Sequence, residues 1–125
     1  MKHFKRKEFA CKCGCGFDTV DHELATVVDA VRSHFGKPTH VNSGCRCEAH
    51  NRKVGGKQRI QGKPNSGSQH LYGRAADILV DGVSPSLVAA WVKQENPKLS
   101  IGTYDSFTHL DNRTGDPKFW GIVHG

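Results

Sequence analysis

From Asp21 onward the chain takes on a helical pattern. Leu24, Val27, Val28, Val31 and Phe35 fall on one apolar stripe, with Glu23, Asp29, Arg32 and Ser33 on the opposite, solvated face. Asp21 is the expected N-cap, and Gly36 followed by Pro38 closes the helix. Thr39-His-Val-Asn42 is short and β-prone and delivers the chain to Ser43-Gly44-Cys45-Arg46. Cys47 to Val54 has room for two helical turns before Gly55-Gly56. Residues 57–69 are polar and rich in turn formers, which predicts a surface loop. Ala75 to Val80 has the apolar character of a buried strand. Ser84-Pro85 starts another helix, with Pro at its first position and Leu87, Val88, Trp91 and Val92 as the expected core face. Leu99 to Tyr104 and Ser106 to Leu110 read as adjacent strands around a tight turn at Asp105. Phe119, Trp120, Ile122 and Val123 are expected to pack onto the sheet. Residues 1–20 form an irregular arm that can dock Phe9 on the core. Few strands with helices beside them predict a small α+β fold, a short and mainly antiparallel sheet with flanking helices.

Length narrows this further. A chain of 125 residues fits one domain spanning 1–125, with the Cys-rich arm 1–20 packed on it. No run approaches the roughly 18 apolar residues of a membrane span. The basic start, Met1-Lys-His-Phe-Lys-Arg-Lys-Glu8, lacks an apolar segment, so no signal peptide is expected and synthesis in the cytosol follows. Lys and Arg number 18 against 12 Asp and Glu, a formal charge of +6 that favours anionic partners. Nucleic acid, anionic lipid and bacterial cell wall all qualify, and a merely soluble basic surface explains the charge equally well.

The five cysteines are an odd number, which excludes complete disulfide pairing within one chain. Cys11, Cys13 and Cys15 alternate, and Cys45 and Cys47 repeat the spacing. On an extended segment such cysteines point to one side, which suits one metal ion better than one disulfide. A structural zinc takes four Cys or His ligands, and Cys11, Cys13, Cys15 and Cys47 are the candidates. Free thiols in a reducing cytosol are the competing reading.

Asp77 changes the picture most, because an unpaired carboxylate in an apolar strand is costly to bury. An ion pair with Arg74 or Arg46 would satisfy it. A metal would too: His70 in the preceding loop and Asp77 at the strand's start can place a nitrogen and an oxygen on one ion. A catalytic zinc keeps three protein ligands and an open position. His109, in the alternating Phe107-Thr-His109-Leu-Asp111, supplies the third ligand from another strand, with Phe107, His109 and Asp111 on one face. The reading is a mononuclear zinc hydrolase.

Ser68-x-His70-x-x-Gly73-x-Ala75-x-Asp77, followed by Phe107-x-His109-x-Asp111, resembles the zinc D-Ala-D-Ala carboxypeptidase/endopeptidase family, above all its small single-domain members often carried by phages. Ser43-Gly-Cys-Arg46, His50-Asn51 and Val54-Gly55-Gly56 resemble that family's SGYR…HN…VGG segment, so the likeness runs from about residue 42 to 113. It implies a hedgehog/D-Ala-D-Ala peptidase-like fold and zinc on His70, Asp77 and His109. It also implies a substrate of bacterial peptidoglycan peptides and an Arg46 that contacts the scissile carbonyl or a substrate carboxylate. Arg46 as a structural partner of Asp77 or Asp111 is the plainer alternative, and Ser68 either binds substrate or caps its turn. Members of the wider family place Glu or Asp three residues before the last zinc histidine, where this chain has Ser106. That leaves Asp105 as first candidate for general base and Asp111 as an orienter of His109, with His50 and Tyr104 behind them. His50 is also a candidate substrate contact.

The expected protein is a monomeric zinc peptidase, an endolysin that waits in the cytosol and reaches the wall during phage lysis, with no nucleic acid as partner. A non-catalytic zinc domain of the wall-binding or virion type is one alternative. A zinc-dependent nucleic-acid-binding module is another, and its binding would fall steeply with salt.

Overall fold

The computed structural model describes residues 2–121. Three helices, α1 (His22–Phe35), α2 (Glu48–Lys53) and α3 (Pro85–Glu95), accompany five strands among these residues: β1 (Thr39–Ser43), β2 (Ala75–Val80), β3 (Ser100–Thr103), β4 (Thr108–Asp111) and β5 (Phe119–Gly121). The strands form one sheet in the order β1-β2-β4-β3-β5. All neighbours are antiparallel except β3 and β5, which run parallel. The expected α+β architecture is present.

Local chemistry explains the helix bounds. The Asp21 carboxylate accepts from the Leu24 amide at 3.0 Å, and Gly36 ends α1 in the left-handed region at φ 64°. Leu24, Val28 and Val31 are wholly buried, each burial worth about 1.5–3 kcal/mol of apolar transfer. They pack with α3 on one face of the sheet, against Ala76, Ile78, Val80, Ile101 and Leu110. Phe4 and Phe9 of the arm join this core and meet edge to face at 6.0 Å. Because strand side chains alternate, Asp77, His109 and Asp111 belong to the other face. The core thus lies behind the sheet and the polar residues in front of it.

One expectation needs correction. Leu87 is 61% exposed, and the face that α3 buries is Val88, Ala89 and Val92, with Trp91 partly covered. Successive helical residues are about 100° apart, so centring the buried stripe on Val88 and Val92 turns Leu87 outward. Phe119 and Trp120 join the sheet at its edge as β5, 44% and 38% exposed. Ile122 and Val123 lie outside the described residues.

Candidate active site

A single 3-10 turn, Gln69–Tyr72, presents His70. Ser68 caps it, its hydroxyl accepting from the His70 amide at 3.3 Å, and Gly73 closes it at φ 68°. A Cβ on Gly73 would stand 2.5 Å from the Thr19 carbonyl oxygen, so only glycine fits that close approach. His70 is buried, and its Nδ1 donates to the Gly44 carbonyl at 2.5 Å, since a carbonyl can only accept. That bond fixes the ring and leaves Nε2 facing Asp77, 3.4 Å from Oδ2.

The other two groups come from the sheet ladder, in which Asp77 on β2 pairs directly with His109 on β4. His109 Nδ1 lies 2.8 Å from Asp77 Oδ1, and its Nε2 lies 2.8 Å from Asp111 Oδ2. Asp111 has no exposed surface. It accepts a two-pronged contact from Arg113, 2.8 Å from Nε to Oδ1 and 2.7 Å from Nη2 to Oδ2. Arg46 reaches Asp77 from the β1–α2 loop at 3.5 Å. Its guanidinium is also held by the Ser43 hydroxyl at 3.1 Å and the Asn51 side-chain oxygen at 3.3 Å. Arg74, the other expected partner of Asp77, turns instead to Asn65 and lies over the Tyr72 ring.

The electrostatics favour positive charge at this spot. Burial works to raise the Asp77 carboxyl, but hydrogen bonds from His109 and His70 outweigh it and hold the group well below the usual carboxylate range. Burial also opposes ionisation of Asp111, and the bonds from Arg113 and His109 bring it down to about 2. For His109, burial disfavours the charged ring, and the bonds to Asp111 and Asp77 reverse that and raise its pKa. Two ionised carboxylates therefore flank an imidazole that readily takes a second proton. A divalent cation can do the work of those protons.

The donor set fits such a cation. His70, Asp77 and His109 each bring a ligand atom within 4.8 Å of the others. Zinc with bonds of about 2.0–2.2 Å in tetrahedral array needs donor separations of about 3.4 Å, and His70 Nε2 to Asp77 Oδ2 is 3.4 Å. Three ligands of this kind leave a coordination position open, as catalytic zinc sites do. In front of them runs an open groove of about 1000 Å³, whose walls include Lys57, Ser68, Tyr104, His109, Arg113 and Trp120.

The remaining candidates are placed as follows. Ser68 both caps the turn and lines the groove. Asp105 is exposed at the β3–β4 turn, next to the groove residue Tyr104, and is not itself on the groove wall. His50 sits on α2 and does not line the groove. Cys11, Cys13, Cys15 and Cys47 converge, as their spacing suggested, but through a turn rather than an extended segment. Cys45 is buried separately and donates its S–H to the Phe17 carbonyl at 3.0 Å.

Sequence reasoning missed three contributors. Arg113 supports Asp111 from the bend after β4. Buried Asn51 links Arg46 to the Lys57 carbonyl, and its place in the His50-Asn51 pair was the available signal. Trp120 stands 5.3 Å from His109 and donates to the Tyr104 hydroxyl at 2.8 Å. It lies over Gly102, where a Cβ would come within 2.6 Å of the indole, and that glycine in a strand was the only hint.

Two imidazoles and a carboxylate converging at the front of an α+β sheet, beside an open groove, are the donor set of the metal-hydrolase class. Residues 2–111 match the family described as Peptidase M15, and the chain belongs to that family of zinc-dependent metallopeptidases, in agreement with the resemblance seen in the sequence. Comparisons with curated proteins and with solved structures find no match. Among the described residues, no helix is long and apolar enough to cross a membrane.

Proposed function

We propose that this protein is a zinc peptidase of bacterial peptidoglycan, cutting stem-peptide or cross-bridge amide bonds as a D,D-carboxypeptidase or endopeptidase of the phage endolysin type. The observation that carries the reading is the convergence of His70, Asp77 and His109 beside an open groove that His109 lines. These three would hold the zinc, which when bound polarises the scissile carbonyl and supplies a nucleophile near neutral pH. Arg46, braced by Ser43 and Asn51, places a fixed positive charge beside Asp77, where negative charge grows on the substrate oxygen. Asp111 holds the His109 ring in place through Nε2. Asp105 is assigned the proton transfer, its carboxylate accepting from the attacking water and returning the proton to the leaving amine. Its support is position alone, at the turn between two strands that border the groove. Lys57 and Lys118 on the groove wall suit the carboxylates of a stem peptide.

The test is digestion of purified peptidoglycan with the zinc-loaded protein, with and without chelator, and identification of the released fragments by mass. Chelator-sensitive cleavage, lost in His70→Ala together with zinc at that site, is expected. Intact peptidoglycan would instead favour a non-catalytic wall-binding domain, the reading that Ser106 leaves open, and salt-sensitive DNA binding would favour a nucleic-acid module.

A further inference from the structure

The side chains unused by that reading gather at one other place. Cys11 Sγ lies 3.5 Å from Cys13 Sγ and 3.8 Å from Cys47 Sγ, and the Cys13 and Cys47 sulfurs are 3.7 Å apart. The Cys15 sulfur completes a group whose members all lie within 4.8 Å of one another. A tetrahedral zinc with metal–sulfur bonds of about 2.3 Å requires sulfur–sulfur edges of about 3.8 Å. A disulfide would instead close one pair to about 2.05 Å, and all four thiols are free. The spacing is that of sulfurs around an ion.

The backbone is arranged for the same purpose. The Cys11 amide donates to the Phe17 carbonyl at 2.7 Å and the Gly14 amide to the Cys11 carbonyl at 3.2 Å, curling residues 11–17 into a compact loop. Gly14 and Gly16 make that curl at φ 82° and 91°, a region closed to most side chains. Two amides point at the sulfurs: Cys47 N–H at Cys11 Sγ and His50 N–H at Cys47 Sγ, both at 3.4 Å. Such donors favour thiolate over thiol, and thiolate is the form that binds metal.

We propose that Cys11, Cys13, Cys15 and Cys47 form a second, structural zinc site in this protein. All four positions are filled by the chain, so the ion has no place for substrate and acts as a clasp. It fastens the N-terminal arm to Cys47, the N-cap of α2, and so to the segment that carries Arg46 and the Gly44 carbonyl. The arm is already laid against this segment, because the Cys45 amide donates to the Phe9 carbonyl at 2.9 Å.

The proposal stands apart from the hydrolase reading, and cobalt separates the two. Cobalt(II) bound by thiolates gives an intense near-ultraviolet sulfur-to-metal absorption that a His/Asp/His site does not. The cobalt-loaded protein should show this band, keep it in His70→Ala and in Cys45→Ala, and lose it in a Cys13→Ser/Cys15→Ser variant. Metal analysis should give two zinc ions per chain in the native protein and one in His70→Ala. Should the serine variant not fold, alkylation of the native zinc protein decides the matter. Exposed Cys13 and Cys15 should resist iodoacetamide until a chelator strips the metal. Immediate labelling of these two, absence of the cobalt band, or a disulfide among the four in peptide maps would overturn the site.

Discussion

Asp111 acts on the site through others: its carboxylate meets one imidazole nitrogen, the Arg113 guanidinium and the Arg113 amide, at no exposed surface. Asp111→Asn keeps the shape but removes the charge that aligns His109 and replaces one acceptor with a donor facing Arg113. Loss of an orienting partner of this kind costs about 10–100-fold in metal affinity or activity. Zinc competition with a chromophoric chelator should show that weakening, and an unchanged affinity would mean that His109 is held by other means. His70, Asp77 and His109 were legible because a carboxylate in an apolar strand demands a partner. Arg113 and Trp120 were not, since each arrives from a bend or an edge strand whose path follows from no local pattern.

At the level of the element, α3 shows where periodicity runs out. Leu87, Val88, Trp91 and Val92 can be drawn as one stripe, and only the sheet decides which side is covered. Leu87→Ser should therefore change stability by less than about 0.5 kcal/mol, whereas Val92→Ala, at a fully buried position, should cost on the order of 2 kcal/mol. Urea titration of the two variants checks the assignment, and a large loss at Leu87 would contradict it. Helix α1, β1, β2 and the β3–β4 hairpin were readable from caps, apolar runs and a turn. The strand order, with β2 beside β4 and β5 parallel at the edge, joins distant segments and was not.

For the whole molecule the +6 charge matters more than any single lysine. The screening length falls from about 30 Å at 0.01 M salt to about 8 Å at 0.15 M. Turnover of polymeric, anionic peptidoglycan at low substrate should fall over that range, while turnover of a short neutral peptide should hardly change. Equal salt sensitivity for both substrates would locate the effect in the groove rather than in long-range attraction.

Asp77 and His109 face each other across a ladder rung at the middle of the sheet, so no hinge stands between them. Their backbones can separate only if the two central strands part. The unfolded chain does not hold the three ligands together, so free zinc that binds the folded site should lift the melting temperature by simple mass action. A thermal scan across zinc concentrations thereby becomes a binding curve, readable even on a sample with no measurable turnover.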